Sequence, residues 1–127
     1  MSAVLKPIPV STAEGAVLTK ATLRAAERLG LAANALSGII GLSEASLSRM
    51  RSGRYQLEPG SKPFEIALLF VRLFRSLDAI VGGDDSVACA WLQNDNRALG
   101  GAPVQKIRSI SGLVDVLAYL DARRALV

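Results

Sequence analysis

The sequence has no histidine and one cysteine, Cys89. Lack of imidazole removes the commonest general base and the commonest metal ligand together. A lone thiol cannot close an intrachain disulfide, and without histidine it cannot complete a structural zinc site. Cys89 stands in the apolar run Val87-Ala88-Cys89-Ala90-Trp91, where it reads as a small buried hydrophobe of a reducing compartment. Long apolar runs are missing too. The most hydrophobic stretch, Ile66 to Val81, is interrupted by Arg72, Arg75 and Asp78, which makes it a poor membrane span. The first ten residues, Met1 to Val10, lack the apolar core and small-residue cleavage site of a secretory signal. No glycine loop has the spacing needed to cradle a phosphate. A cytoplasmic chain with no metal site, no cofactor and no catalytic activity is the expectation.

What is present is enough for a core. Of 127 residues, 50% are hydrophobic, which supports one core or two small ones sharing an interface. Fifteen Lys and Arg oppose 11 Asp and Glu, for a formal charge of +4; this favours a polyanionic partner without requiring one.

The apolar spacing is helical throughout, and no segment alternates like a half-buried strand. Residues 1–11, with Lys6-Pro7-Ile8-Pro9, are expected to form a flexible arm, since each proline biases its predecessor away from helix. Ser11 and Glu14 have capping-box spacing for a first helix ending at Gly30, with Thr19 as a second possible cap. A short helix runs from Ala32 to Ile40, and a third begins after Ser43 and ends near Gly53. Gln56-Leu57-Glu58-Pro59-Gly60-Ser61 is the best linker. Ser61 caps a long helix to Val81, with Glu65, Arg72, Arg75 and Ser76 on its polar strip. Its apolar circumference is wide enough to need cover either from the C-terminal helices or from a second copy of the chain. Asp84 and Asp85 open another helix to Gln93. Pro103 opens a short one to Ser109, and Ser111 caps the last, Gly112 to Ala125. Trp91 reads as a core residue, while Asn94 and Asn96 serve backbone groups at a turn.

The stretch Ala33 to Ser52 meets the requirements of a helix-turn-helix: a small residue at the crossing (Ser37), a turn glycine (Gly41), and inner-face apolar residues Leu36, Ile40, Leu42, Leu47 and Met50. The outer face of the third helix suits a groove reader, with Ser43, Glu44 and Ala45 at its N-terminal end and Ser48, Arg49 and Ser52 following. Arg49 suits a guanine edge and Glu44 a cytosine amine. Arg51, Arg54 and Tyr55 suit phosphates. A helix of this length covers few base pairs, so a homodimer on two-fold operator DNA is expected.

A DNA reader needs only about the first half of this chain. In the second, Ala90-Trp91-Leu92, Asn94, Asn96, Ala98-Leu99-Gly100-Gly101 and Pro103, then Gly112, Val116, Tyr119-Leu120 and Arg123, resemble the toxin-binding domain of the Xre/MbcA/ParS antitoxins. The resemblance implies a non-catalytic antitoxin of a type II toxin-antitoxin system. Its partner would be a RES-domain toxin that consumes NAD⁺, and the complex would repress its own operon. The expected architecture is therefore all-α: a helix-turn-helix DNA-binding domain over 12–58, then a helical dimerisation and toxin-binding domain over 59–127. For the toxin contact the last helix and tail stand out, Tyr119, Arg123, Arg124, Leu126 and Val127, because Tyr and Arg are typical hot spots and a chain end can enter a pocket. Two rival readings use the same residues. A stand-alone repressor whose second half only dimerises predicts operator binding without a toxin; a protein-binding adaptor predicts no salt-dependent DNA affinity.

Overall fold

The computed structural model describes residues 12–126, and among these every regular element is a helix. The expectations for the arm, for Ser11 as a cap and for Val127 lie outside the described residues. The elements are α1 (Ala13–Arg28), α2 (Ala33–Ile40), α3 (Glu44–Arg51), α4 (Lys62–Ile80), α5 (Asp85–Gln93), α6 (Pro103–Lys106) and α7 (Ile110–Arg124).

The caps explain most of the boundaries. Thr12 caps α1, its Oγ1 accepting from the Gly15 amide at 2.9 Å. Thr19 is not a cap: it is buried in mid-helix, where its Oγ1 accepts from the Leu57 amide at 2.8 Å. Thr12 prevails because the first turn of α1 presses on the chain after α3; a Cβ on Gly15 would lie 2.7 Å from the Leu57 carbonyl oxygen. Ser43 and Ser61 cap α3 and α4 as expected, and of the two acids expected to open α5, Asp84 is its cap. The last helix starts earlier than expected. Ser109, not Ser111, accepts from the Gly112 amide at 3.1 Å, so α7 begins at Ile110. Both serines precede an apolar run; the choice falls to Ser109 because α6 closes at Lys106 and leaves only a turn before it. Asn96 does serve the turn, accepting from the Leu99 amide at 3.2 Å and pairing by backbone with Gly101.

One hydrophobic core runs through the molecule, from Leu36 and Leu47 to Leu113 and Leu120. α4 is its axle, with α1, α2, α5 and α7 packed around it. α7 supplies one of the two covers expected for α4: it lays Leu113, Val116, Leu117 and Leu120 on it, all buried. This also corrects the polar strip. Glu65, Arg72 and Arg75 are exposed, but Ser76 is fully buried and donates to Asp121 Oδ1 of α7 at 2.7 Å. A serine is small enough to sit under the incoming helix, and Asp121 satisfies its hydroxyl.

The two halves are tied by Arg28. At the end of α1 its Nε donates to Asp85 of α5 at 3.0 Å, its Nη2 to Asp78 of α4 at 2.8 Å, and its guanidinium lies 4.8 Å from the Phe74 ring centroid. The hydrogen bond to Asp85, and then the charges of Asp78 and Asp85, hold this guanidinium above its ordinary value against partial burial. Cys89 is half-buried rather than fully inside, its Sγ 3.5 Å from the Arg28 carbonyl oxygen.

Candidate nucleic-acid and partner-binding sites

The α2–turn–α3 unit is held from inside. Leu36, Ile40, Leu47 and Met50 are buried and Leu42 is half-buried. Gly41 takes the left-handed conformation (φ 75°, ψ 34°) that ends α2 and lets α3 cross it. The Ser37 hydroxyl donates to the Leu42 carbonyl across that turn, so the small crossing residue also satisfies a backbone group.

With its apolar face so engaged, α3 presents the other to solvent. Ser43, Glu44, Ala45, Ser48, Arg49, Arg51, Ser52 and Arg54 are all exposed. Arg49 is drawn back toward the N-terminus of α3, its Nη2 donating to Ser46 Oγ at 3.0 Å, and Arg54 Nε donates to Ser52 Oγ at 3.1 Å. Among the described residues none of Arg49, Arg51 and Arg54 is in an ion pair, so their charge is available to an anion. Tyr55 differs from this group: it is half-buried and packs on the core. One neighbour was not read from the sequence. Arg108, in the turn between α6 and α7, lays its guanidinium on α2, where a Cβ on Gly38 would lie 2.6 Å from Nη2. A glycine inside a helix, costly by about 1 kcal/mol relative to alanine, was the available signal.

At the other end of the molecule a cleft of about 500 Å³ opens between α4, α5 and α7. Its walls are Leu77, Ile80 and Val81 of the α4 end, Val87 and Trp91 of α5, Asn96, and Tyr119, Leu120 and Arg123 of α7. Trp91 is half-buried: it packs against the core, as expected, and also forms a wall of the cleft. Its indole stacks on Tyr119, with centroids 6.2 Å apart and planes 20° from parallel, and Arg123 lies 5.1 Å from the centroid of the same Tyr119 ring. Residues 119 and 123 are one helical turn apart, which makes an aromatic and cationic ladder beside an apolar floor. The expected toxin-facing residues divide here. Tyr119 and Arg123 share the cleft, whereas Arg124 turns to α4, its Nη1 3.5 Å from Ser76 Oγ, and Leu126 stands exposed at the chain end. Trp91 is the residue that sequence reasoning set aside, because an apolar helix hides which of its faces is covered.

Comparison with known proteins adds what geometry cannot. The antitoxin Xre-like helix-turn-helix domain matches residues 9–72, and the antitoxin Xre/MbcA/ParS C-terminal toxin-binding domain matches residues 76–125. The chain belongs to the Xre/MbcA/ParS antitoxin family. This antitoxin is also similar to a chain in the crystal structure of the M. tuberculosis MbcT-MbcA toxin-antitoxin complex. The TM-score is 0.66 with 26% identity, covering 87% of this chain and 96% of that one. No curated protein gives a significant match. The matched helix-turn-helix region contains α1 to α3 and continues into α4, and the matched toxin-binding region contains the whole Trp91–Tyr119–Arg123 cleft. Among the described residues no helix of the antitoxin is long and apolar enough to cross a membrane.

Proposed function

We propose that this antitoxin binds and neutralises a RES-domain toxin that consumes NAD⁺, and that it represses its own operon as a homodimer through α3. In this reading it acts by binding and carries out no catalysis. The observation that carries the proposal is the coexistence, in one chain, of a helix-turn-helix whose exposed arginines are in no ion pair among the described residues and a matched toxin-binding domain with a preformed aromatic cleft. The related chain belongs to a toxin-antitoxin complex, which supports a toxin as the partner here.

On the DNA side, Arg49 and Glu44 would read base edges while Arg51 and Arg54 fix the register on phosphates, with small Ser43, Ala45, Ser48 and Ser52 allowing close approach. Tyr55, half-buried, would contribute by positioning the chain after α3. On the toxin side the cleft is the stronger part of the surface. It offers a partner side chain an apolar floor with a cation at its rim, the usual make-up of a hot spot. Leu126, exposed at the end of the described residues, would extend the contact.

The test is co-expression of the tagged antitoxin with the product of the neighbouring gene. A stable complex whose partner destroys NAD⁺ only after separation is the expected result. A chain that captures no partner yet binds its own promoter would instead make it a stand-alone repressor.

A further inference from the structure

The groove between α1 and α4 has a charge order that a second copy of the chain would match. It is open and largely apolar, lined by Val17, Ala21, Phe64, Leu68 and Val71; Val17 is 68% and Leu68 48% exposed. On α1 the rim reads Glu14, Val17, Ala21, Arg24, and on α4 it reads Glu65, Leu68, Arg72, Arg75. Both series advance by three, four and three residues, the spacing of one stripe along a helix. The two helices run the same way. The start of α1 meets Leu57, shortly before α4 begins, and Arg28 at its end binds Asp78 near the end of α4. The acids of both stripes therefore lie at one end of the groove and the arginines at the other, with the exposed aliphatics between.

Among the described residues Glu14, Glu65, Arg24 and Arg75 are in no ion pair, while Arg72 is held by Asp121. A face polarised in this way repels a copy laid parallel to it and attracts one turned end for end. A two-fold axis across the groove supplies that turn, and one axis serves both halves because an isologous contact is self-complementary. We infer that the α1/α4 groove is the homodimer interface, closed by Val17 and Leu68 from each copy and registered by Glu14 and Glu65 of one against Arg24 and Arg75 of the other. The inference rests on the homodimer reading above and locates its face.

The test is the solution mass of the full chain by sedimentation equilibrium, with thermal melts to show that each variant folds. The wild type is expected to be a dimer. The variant Glu14→Arg/Glu65→Arg, which sets base against base, should weaken dimerisation about tenfold or more. Adding Arg24→Glu/Arg75→Glu to that variant reverses the whole pattern and should restore the dimer. A dimeric wild type indifferent to the first variant, or a fourfold variant that stays dissociated, would overturn the interface while leaving the homodimer reading intact. A monomeric wild type would overturn both. If it became dimeric only after residues 1–11 were removed, the groove would belong to that segment rather than to a second copy bound to the native chain.

Discussion

The backbone carbonyl of Lys106 sits against the α-carbon of Gly112, in the space that any side chain at position 112 would need. The contact lets α6 fold back on the first turn of α7, and Gly112 is itself buried. Because the neighbour is backbone, it cannot swing aside as a side chain would. Gly112→Ala is expected to cost about 1–3 kcal/mol from overpacking, more than offsetting the better helix propensity of alanine. Urea unfolding of the two proteins measures it, and equal midpoints would show that the α6–α7 turn is slack.

Thr19 gives a second stability prediction. Its hydroxyl is the acceptor for the buried amide of Leu57. Thr19→Val keeps the shape and leaves that donor without its partner, an expected loss of about 1–3 kcal/mol. Thr19→Ser, which keeps the oxygen, should recover part of it in the same unfolding experiment.

In the cleft, Trp91→Ala and Arg123→Ala should each weaken capture of the toxin by about tenfold or more, as loss of a hot spot does. Arg124→Ala should act mainly on stability, since Arg124 faces Ser76 rather than the cleft. Calorimetric titration with the purified toxin separates the two effects. Trp91→Ala binding as tightly as wild type would move the contact away from the cleft.

On the DNA face, Arg54→Ala should weaken binding to all sequences and reduce the dependence of log K on log salt by about one unit of slope. Arg49→Ala should lose discrimination between operator and unrelated DNA by about 1–3 kcal/mol. Fluorescence anisotropy over a range of salt concentrations reads both; identical salt slopes would remove Arg54 from the phosphate contacts.

Acid should weaken the N-terminal cap of α5. The Ser86 hydroxyl, and then the Val87 amide, hold the Asp84 carboxyl below its ordinary value, with the Ser86 amide adding to them against partial desolvation. A carboxylate depressed in the folded state stabilises that state above the unfolded value of about 3.9, and the contribution is lost as pH falls through the depressed folded value. The stability advantage of wild type over Asp84→Ala should therefore be constant near neutral pH and decline below about pH 4. Paired unfolding curves across that range provide the comparison.

The sequence by itself determined the helices, most of their ends and the family. Ser43, Ser61 and Asp84 cap their helices because a short acceptor can reach free amides only one turn ahead, and Gly41 marks the turn because its conformation excludes most side chains. These are local requirements and so are legible locally. The same holds for the outer face of α3, fixed once Leu47 and Met50 are turned inward. Tertiary structure decided what depends on a distant neighbour. Ser76 left the polar strip because Asp121, 45 residues later, came to lie on it; Trp91 became a cleft wall because α7 brought Tyr119 to stack on its ring while leaving the indole only half-covered. Tyr119 and Arg123 parted from Arg124 because adjacent residues on a helix point about 100° apart, and only the seating of α7 on α4 settles which of those directions meets solvent.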